Sequence, residues 1–145
     1  MFPVRIAANA FGDGLPRRDL FLSPGHAVFV DGVLIPVKCL INDRTVVQVP
    51  DDIVTYFHVE LDEHDVVYSE GLATESYLDT GNRPSFANGG PSKALFPDFS
   101  AATWEAEACA PLILTGEKVT RARLLLEERA ALLAASASLA VASAA

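Results

Sequence analysis

Near the start of the chain stands the run Leu22-Ser23-Pro24-Gly25-His26-Ala27-Val28-Phe29-Val30-Asp31-Gly32. Pro24 biases the residue before it toward an extended conformation, so Ser23 is expected to end a strand or lie in a loop. Residues 27–30 read as a short apolar strand, and Asp31-Gly32 is typical of a two-residue hairpin turn. The run therefore predicts a Ser-x-x-His loop that leads directly into a β-hairpin.

Similar short segments recur through the first half of the chain. They alternate with turn residues such as Gly12-Asp13-Gly14 and Asn42-Asp43, at intervals of roughly eight to twelve residues. Strands are predicted over residues 4–10, 19–22, 27–30, 33–37, 45–49, 53–61 and 65–69. Strands do not alternate with helices in this pattern. The spacing predicts a mainly β chain with an all-β sandwich or barrel-like fold.

The composition divides the chain into three parts. Residues 1–83 are predicted to form the β domain, and residues 84–116 a linker with a short helix over 101–108 that Ser100 caps. Residues 117–145 are predicted to form a C-terminal helical appendage, frayed at its alanine-rich end. Five leucines are assigned to the apolar face of this helix: Leu124, Leu125, Leu126, Leu132 and Leu133.

Charge and composition limit the class of protein. Half of the 145 residues are apolar, and the formal net charge is −8. Nucleic acids and anionic membrane surfaces attract clustered Lys and Arg, so neither is expected as a partner. The first residues lack the pattern of a signal peptide, which favours the cytoplasm. Cys39 and Cys109 make no disulfide framework, and the sequence predicts no cofactor.

Ser23 and His26 are the first candidate site residues. A neutral imidazole exchanges protons near neutral pH, as general acid–base catalysis requires, and a nearby hydroxyl can orient the imidazole or a carbonyl. A loop histidine bonded to the backbone would explain the same spacing without any chemistry. A serine hydrolase is rejected, because no Gly-x-Ser-x-Gly motif surrounds Ser23.

A second histidine-rich run, residues 58–67, supplies the other candidates. In an extended strand, four polar side chains would share one face and offer nitrogen and oxygen ligands to zinc: His58, Glu60, Asp62 and His64. Residues 62–64 are also typical of a turn, which would separate these ligands. His64 and Asp65 would form a base and its orienting carboxylate only if a turn intervenes, since neighbours on a strand face opposite ways.

These runs resemble the Hint family, the fold shared by hedgehog autoprocessing domains and inteins, and in particular a bacterial branch of stand-alone Hint-domain proteins. Residues 20–30 (Leu-Phe-Leu-Ser-Pro-Gly-His-Ala-Val-Phe-Val) are similar to the family's Thr-x-x-His block, with Ser23 in place of threonine. Residues 54–72 are similar to the late block that supplies a histidine or aspartate, and residues 75–83 to the exit segment of the bacterial branch. Together the blocks cover roughly residues 4–83.

The resemblance implies an all-β, horseshoe-like fold and a self-directed reaction. An N-terminal Cys or Ser attacks the preceding peptide carbonyl to give a thioester or an ester, and the block histidine assists by hydrogen bonding to the scissile nitrogen. By this resemblance His26 would take that role, Ser23 would support it, and His64 or Asp65 would serve the second step.

Three departures from the family pattern predict an incomplete domain that does not turn over alone. The first strands and the nucleophile would lie upstream of residue 4, no Cys or Ser begins the chain, and Ala73-Thr74-Glu75-Ser76 stands where inteins have a His-Asn pair. The chain is predicted to be the later part of a Hint domain, from a truncated reading frame or a split pair. Its expected partners are the missing N-terminal part of the domain or a host protein.

Two alternatives stay open at this point. In one, the chain is a non-catalytic β interaction module whose C-terminal helix docks onto a partner. In the other, it is a metal-binding β protein that uses His58, Glu60 and His64. Convergence of His26 with residues 56–65 around one cleft would favour the autoprocessing hypothesis over both.

Overall fold

Seven short strands form two antiparallel sheets in the part of the chain that the structure describes. The computed structural model describes residues 1–51, 53–88 and 99–144. The strands are β1 Val4–Ile6, β2 Leu20–Leu22, β3 Ala27–Val30, β4 Val33–Pro36, β5 Val46–Gln48, β6 Val66–Ser69 and β7 Leu72–Glu75. One sheet has the order β2-β1-β5, and the other has the order β4-β3-β7-β6. The mainly β fold predicted from the sequence is confirmed.

The hairpin between β3 and β4 follows the sequence prediction. Asp31 and Gly32 both have positive φ angles, 52° and 77°, which match the right-handed twist of the flanking strands. The strands pair from Ala27↔Pro36 to Val30↔Val33. Val28 is fully buried, so this hairpin brings one face of the Ser-x-x-His region against the core.

The Ser-x-x-His loop between β2 and β3 is closed by its own backbone. The His26 N–H donates to the Ser23 carbonyl at 3.0 Å, which makes the loop a tight turn. A 3-10 helix, Val37–Leu40, holds this turn from the other side, because its first N–H donates to the His26 carbonyl at 2.9 Å. The predicted return strand therefore ends at Pro36 instead of Val37, and the loop has a fixed geometry.

The strand β7 was absent from the sequence prediction. It follows β6 through a second two-residue turn, Glu70-Gly71, with φ angles of 50° and 86°. β7 pairs with β6 along its whole length and with β3 through Val28↔Thr74, so it lies in the middle of its sheet. The end of β7 consequently lies beside the start of β3, next to His26.

The strand predicted over residues 53–61 is wrong. The structure shows neither a strand nor a helix there. The backbone of this segment contacts the β domain through a hydrogen bond of 2.6 Å from the Tyr77 N–H to the Val59 carbonyl. Ile53 and Phe57 are 87% and 86% exposed. Alternating apolar residues predict a strand, but this segment lies outside both sheets and does not cover the core with these side chains.

The first helix, α1, spans Phe99–Glu107. It replaces the shorter helix predicted over residues 101–108. Ser100 lies inside the helix and not before it, so its predicted role as N-cap is wrong. After α1 the chain adds a bridge to β4: Leu34 donates to the Pro111 carbonyl at 2.8 Å and accepts from Ile113 at 2.9 Å. This bridge fixes the segment after α1 to the edge of the four-stranded sheet.

The C-terminal helix is present, but its buried face differs from the prediction. The helix α2 spans Glu117–Ala144, and its buried residues are Val119, Ala122, Leu126 and Ala130. The spacings of three and four place these residues on one side of a helix. Of the five predicted leucines only Leu126 is buried, whereas Leu124 and Leu132 are 57% and 58% exposed. The first half of α2 therefore belongs to the hydrophobic core, which also contains β1 and β3 residues.

Arg129 attaches α2 to the loop after β1. Its guanidinium donates to the Asn9 carbonyl at 3.1 Å and to the Asp13 carboxylate at 2.9 Å. Beyond Ala130 the described helix is mostly exposed. Within the described residues, neither helix has the length and apolar character that a bilayer span needs.

Candidate functional site

Three segments that are far apart in sequence converge at His26. Its ring stacks on the ring of His58, with centroids 5.2 Å apart and an interplanar angle of 28°. Its Nε2 atom lies 3.2 Å from the main-chain carbonyl oxygen of Glu75, at the end of β7. Residues 56–59 of the predicted segment thus share one cleft with His26, whereas residues 60–65 line a separate cavity.

The contact with Glu75 determines which nitrogen of His26 carries the proton. A carbonyl oxygen only accepts hydrogen bonds, so Nε2 must donate and the lone pair of the neutral ring lies on Nδ1. No described residue forms a hydrogen bond with Nδ1. Burial, and then the nearby His58, lower the pKa of His26 to about 4. At neutral pH His26 is therefore an uncharged imidazole with a free acceptor nitrogen.

Ser23 and His26 line the same cleft. Two adjoining cavities, of about 510 and 230 Å³, share Ser23, His26, His58 and Glu75 as lining residues. The larger cavity also contains Met1 and the apolar side chains of Trp104, Leu112 and Leu114. The two predicted residues of the Ser-x-x-His loop are thus brought together at an opening that can hold a peptide group.

His64 is buried behind this cleft. Its Nδ1 atom accepts a hydrogen bond of 3.0 Å from the Cys109 N–H, so the ring carries its proton on Nε2. Nε2 lies 3.3 Å from the Glu75 carboxyl oxygen Oε2, at an angle outside hydrogen-bond geometry. Trp104 packs edge-on against the ring at 5.5 Å. Burial lowers the pKa of His64, in agreement with a neutral ring.

Glu75 connects the two histidines and was missed in the sequence. Its Oε1 atom accepts the Ala27 N–H at 2.7 Å, while Oε2 faces His64. Burial raises the pKa of its carboxyl group to about 7, against the opposing effect of the Ala27 hydrogen bond. The sequence offered one signal, since Glu75 begins the segment that resembles the exit of the bacterial branch.

Asp65 lies apart from the cleft of His26. Its carboxylate accepts the N–H of the next residue, Val66, at 2.7 Å, and the residue is exposed. It lines a separate cavity of about 750 Å³, together with His64 and several other acidic residues. The carboxylate that faces the Nε2 atom of His64 is Glu75, which the sequence prediction had not included.

The residues named for the metal-binding alternative are not brought together in the described part of the chain. Among the described residues, no group of three or more His, Cys, Asp and Glu side chains is arranged to hold a metal ion. Residues 53–61 form no strand, so His58 and Glu60 do not share a strand face with His64. His58 stacks on His26, and His64 faces Glu75.

The two cysteines are free thiols with no sign of activation. Cys39 is half-buried against the core, and Cys109 is exposed. Burial of the thiol and the nearby carboxylate of Asp65 raise the pKa of Cys109. A raised pKa keeps a thiol protonated and poorly nucleophilic. Cys109 thus contributes to the site through its main-chain N–H.

Comparison with known families agrees with this geometry. The sequence model of the Hint domain matches residues 1–81. The chain belongs to the Hint domain family. This family is associated with protein autoprocessing. No curated protein and no solved structure was found to match the chain. The Hint match ends before Trp104 and Cys109, so two contacts of His64 come from residues outside the matched region.

Proposed function

We propose that this Hint chain supplies the acid–base part of an acyl-shift centre, with His26 as the base. One observation supports this most directly: a neutral imidazole, whose Nδ1 has no hydrogen-bond partner among the described residues, lines a cavity of about 510 Å³ that also contains Met1. A carbonyl is bound nearby, because the Tyr56 hydroxyl donates to the Met1 carbonyl at 2.8 Å. Met1 and Tyr56 each line one of the two adjoining cavities, so a hydrogen-bonded main-chain carbonyl lies at the edge of the cleft.

The proposed reaction is an N-to-S or N-to-O acyl shift. Nδ1 of His26 takes the proton from the thiol or hydroxyl of a nucleophile, whose sulfur or oxygen adds to the preceding carbonyl carbon. The carbon–nitrogen bond then breaks, and the proton passes to the departing nitrogen. The amide becomes a thioester or an ester and a free amine, and no external reagent is needed.

The nucleophile is proposed to come from a segment other than the Ser-x-x-His loop, such as a further part of the domain or a host protein. Ser23 carries a hydroxyl, but the residue before it, Leu22, is fixed in β2 opposite Val4. The carbonyl that precedes Ser23 is therefore held in a sheet, and the reaction is proposed to need the added nucleophile.

Restoring a nucleophile tests this function. A reporter peptide ending in Cys is fused directly before Met1, and the fusion is treated with hydroxylamine, which cleaves thioesters but spares amides. The expected product is the reporter hydroxamate, detected by mass spectrometry. Matched fusions carry Ala in place of the added Cys, or His26→Ala. A third fusion carries Tyr68→Phe, because Tyr68 is 77% exposed and does not line either cleft cavity.

The fusion with Cys and an intact His26 should be cleaved, and the Tyr68→Phe fusion should match it. The Ala fusion and the His26→Ala fusion should be at least tenfold slower, as general acid–base catalysis contributes about 10²–10⁴-fold. Equal cleavage with and without His26 would refute the assignment of the base, and an intact Cys fusion would refute the function itself.

A second candidate function is an interaction module that uses the exposed part of α2. Leu139 and Val141 are 70% and 72% exposed beyond the last buried position of the helix, Ala130. Removing the whole helix would disrupt the core, so the test is a deletion after residue 131. Size-exclusion chromatography with light scattering should show a larger assembly only for the full chain. A full chain and a deletion that are both monomeric would contradict self-association through this helix.

A further inference from the structure

We propose that Glu75 is the positioning residue of this centre and holds both imidazoles, His26 through its main chain and His64 through its carboxyl group. The inference rests on the proposed function, because it takes His26 as the base. The family match identifies the domain but assigns no role to this residue. The proposal follows from three contacts that a single residue makes to two histidine-bearing segments.

The first contact fixes the direction of His26. The Glu75 carbonyl lies 3.2 Å from Nε2 and accepts its proton. With that atom engaged, Nδ1 is the nitrogen that can receive a proton from a substrate. The carbonyl stands at the end of β7, in a sheet position set by the ladder with β6. The orientation of the base is thus defined by regular secondary structure.

The second contact fixes the backbone beside His26. The Glu75 Oε1 atom accepts the N–H of Ala27 at 2.7 Å. β3 and β7 pair through Val28↔Thr74, and this side-chain bond extends their connection toward the loop. The Glu75 carboxyl therefore ties the start of β3 to the end of β7, where the base is located.

The third contact involves a buried N–H without a hydrogen bond. The His64 side chain is 1% exposed, and no described residue partners its Nε2 atom at hydrogen-bonding angles. Buried polar groups are usually paired, and an exception of this kind occurs at catalytic sites. The near acceptor is Glu75 Oε2 at 3.3 Å, so a small rotation of either side chain completes the bond. An ionised Glu75 carboxylate accepts both donors at once, Ala27 N–H and His64 Nε2–H.

The test compares Glu75→Gln with wild type in the reporter fusion described above. Glutamine has the same size, but its single carbonyl oxygen cannot accept both donors. We expect cleavage to slow by about 10- to 100-fold at pH 8, the range that a displacement of about an ångström can cost. Burial raises the pKa of Glu75 to about 7, so wild type loses its carboxylate at lower pH. The ratio of wild-type to variant rates should therefore shrink from pH 8 to pH 6.

Two further variants complete the series. Glu75→Asp retains two acceptor oxygens on a shorter side chain and should restore part of the rate. Glu70→Gln is the matched control, because Glu70 lies in the neighbouring turn and pairs with the exposed Arg18. It should cleave at the wild-type rate. Equal rates of wild type and Glu75→Gln at every pH would overturn the proposal while leaving the role of His26 intact.

Histidine ¹⁵N NMR on the unfused chain gives an answer that is independent of cleavage. In wild type the ring of His64 should show the neutral form with the proton on Nε2. In Glu75→Gln the His64 signals should show a mixture of ring states. The glutamine has one acceptor oxygen, so its NH₂ group must face either the His64 Nε2–H or the Ala27 N–H. If the wild-type fusion is inert but His64 responds, only the proposed function fails. Unchanged His26 and His64 signals in Glu75→Gln would overturn the positioning role.

Discussion

His26 and His58 stack with ring centroids 5.2 Å apart, although they lie 32 positions apart in the chain. The contact shields one face of the base from water and places a second titratable ring beside it. Burial is the main cause of the low pKa of His26, and His58 is the second. The stacked pair therefore explains why the proposed base stays neutral in mildly acidic solution.

Removing the stacked ring should raise the pKa of His26. In His58→Ala, water reaches the face of the His26 ring that His58 covers in wild type. Both causes of the low His26 pKa, burial and the nearby charge of His58, are then weakened. His58→Phe keeps the cover and removes the charge, so its effect should be smaller and should isolate the contribution of His58 protonation. NMR titration of His26 measures both. A His26 pKa that stays near 4 in His58→Ala would contradict this explanation.

The stability of the chain should respond to pH through two opposing groups. The pKa of His26 falls from 6.5 to about 4 on burial, and that of Glu75 rises from 4.5 to about 7. The folded chain binds fewer protons at His26, so this contribution to stability is present above pH 6.5 and is lost on acidification. It binds more protons at Glu75, so that contribution is present below pH 4.5 and is lost as the pH rises to about 7.

Single variants should separate these two contributions. Glu75→Gln should lose stability more steeply than wild type on acidification from pH 6.5 to 4.5, by up to about 1.4 kcal/mol per pH unit. His26→Gln should change the slope in the opposite direction. His58 and His64 also have lowered pKa values and are kept in both variants. Urea unfolding at several pH values measures how the free energy of unfolding changes with pH. Parallel plots for wild type, Glu75→Gln and His26→Gln would refute the prediction.

Trp104 should stabilise the fold and exclude water from the ring of His64. Its ring packs edge-on against His64 at 5.5 Å, with an interplanar angle of 88°. Trp104→Ala should cost about 1–3 kcal/mol, less than for a fully buried tryptophan because the residue is half-buried. The pKa of His64 should rise as water enters. Glu105→Ala, on the exposed side of the same helix, is the control. It should leave the free energy of unfolding and the pKa of His64 at their wild-type values.

Two leucines of α2 should contribute very differently to the free energy of unfolding. Leu126 is fully buried in the core, whereas Leu132 is 58% exposed. Leu126→Ala should destabilise the chain by about 2–5 kcal/mol, because it removes packed methyl groups and leaves a cavity. Leu132→Ala should change stability by less than about 0.5 kcal/mol. Similar losses in thermal or urea unfolding would show that the helix packs through a different face.

Local signals in the sequence predicted the parts of the fold that depend on neighbouring residues. Asp31-Gly32 specified a hairpin because both residues tolerate positive φ, and Pro24 helped to define the turn that holds His26. Residues 53–61 show the opposite case. Their alternation favours a strand, but a strand also needs a partner for its backbone, and residues 53–61 pair with neither sheet.

The buried face of α2 and the residues that contact the two histidines depend on tertiary packing instead. Three consecutive leucines, 124–126, look equivalent in the sequence, yet the approach angle of α2 buries only Leu126. Glu75 reads as an ordinary polar residue at the end of a strand. It becomes a site residue because β7 lies between β3 and β6, where its carboxyl meets Ala27 and faces His64.

The sequence by itself determined the Hint family, the mainly β fold, and the loop that presents Ser23 and His26, because each depends on short-range patterns of turn, proline and apolar residues. The tertiary structure alone decided which groups surround the two histidines. His58 and Glu75 contact His26, whereas Trp104 and the Cys109 N–H contact His64. Only the pairing order of the strands and the docking of residues after α1 bring them together, since contacts between such distant positions leave no local pattern in the chain.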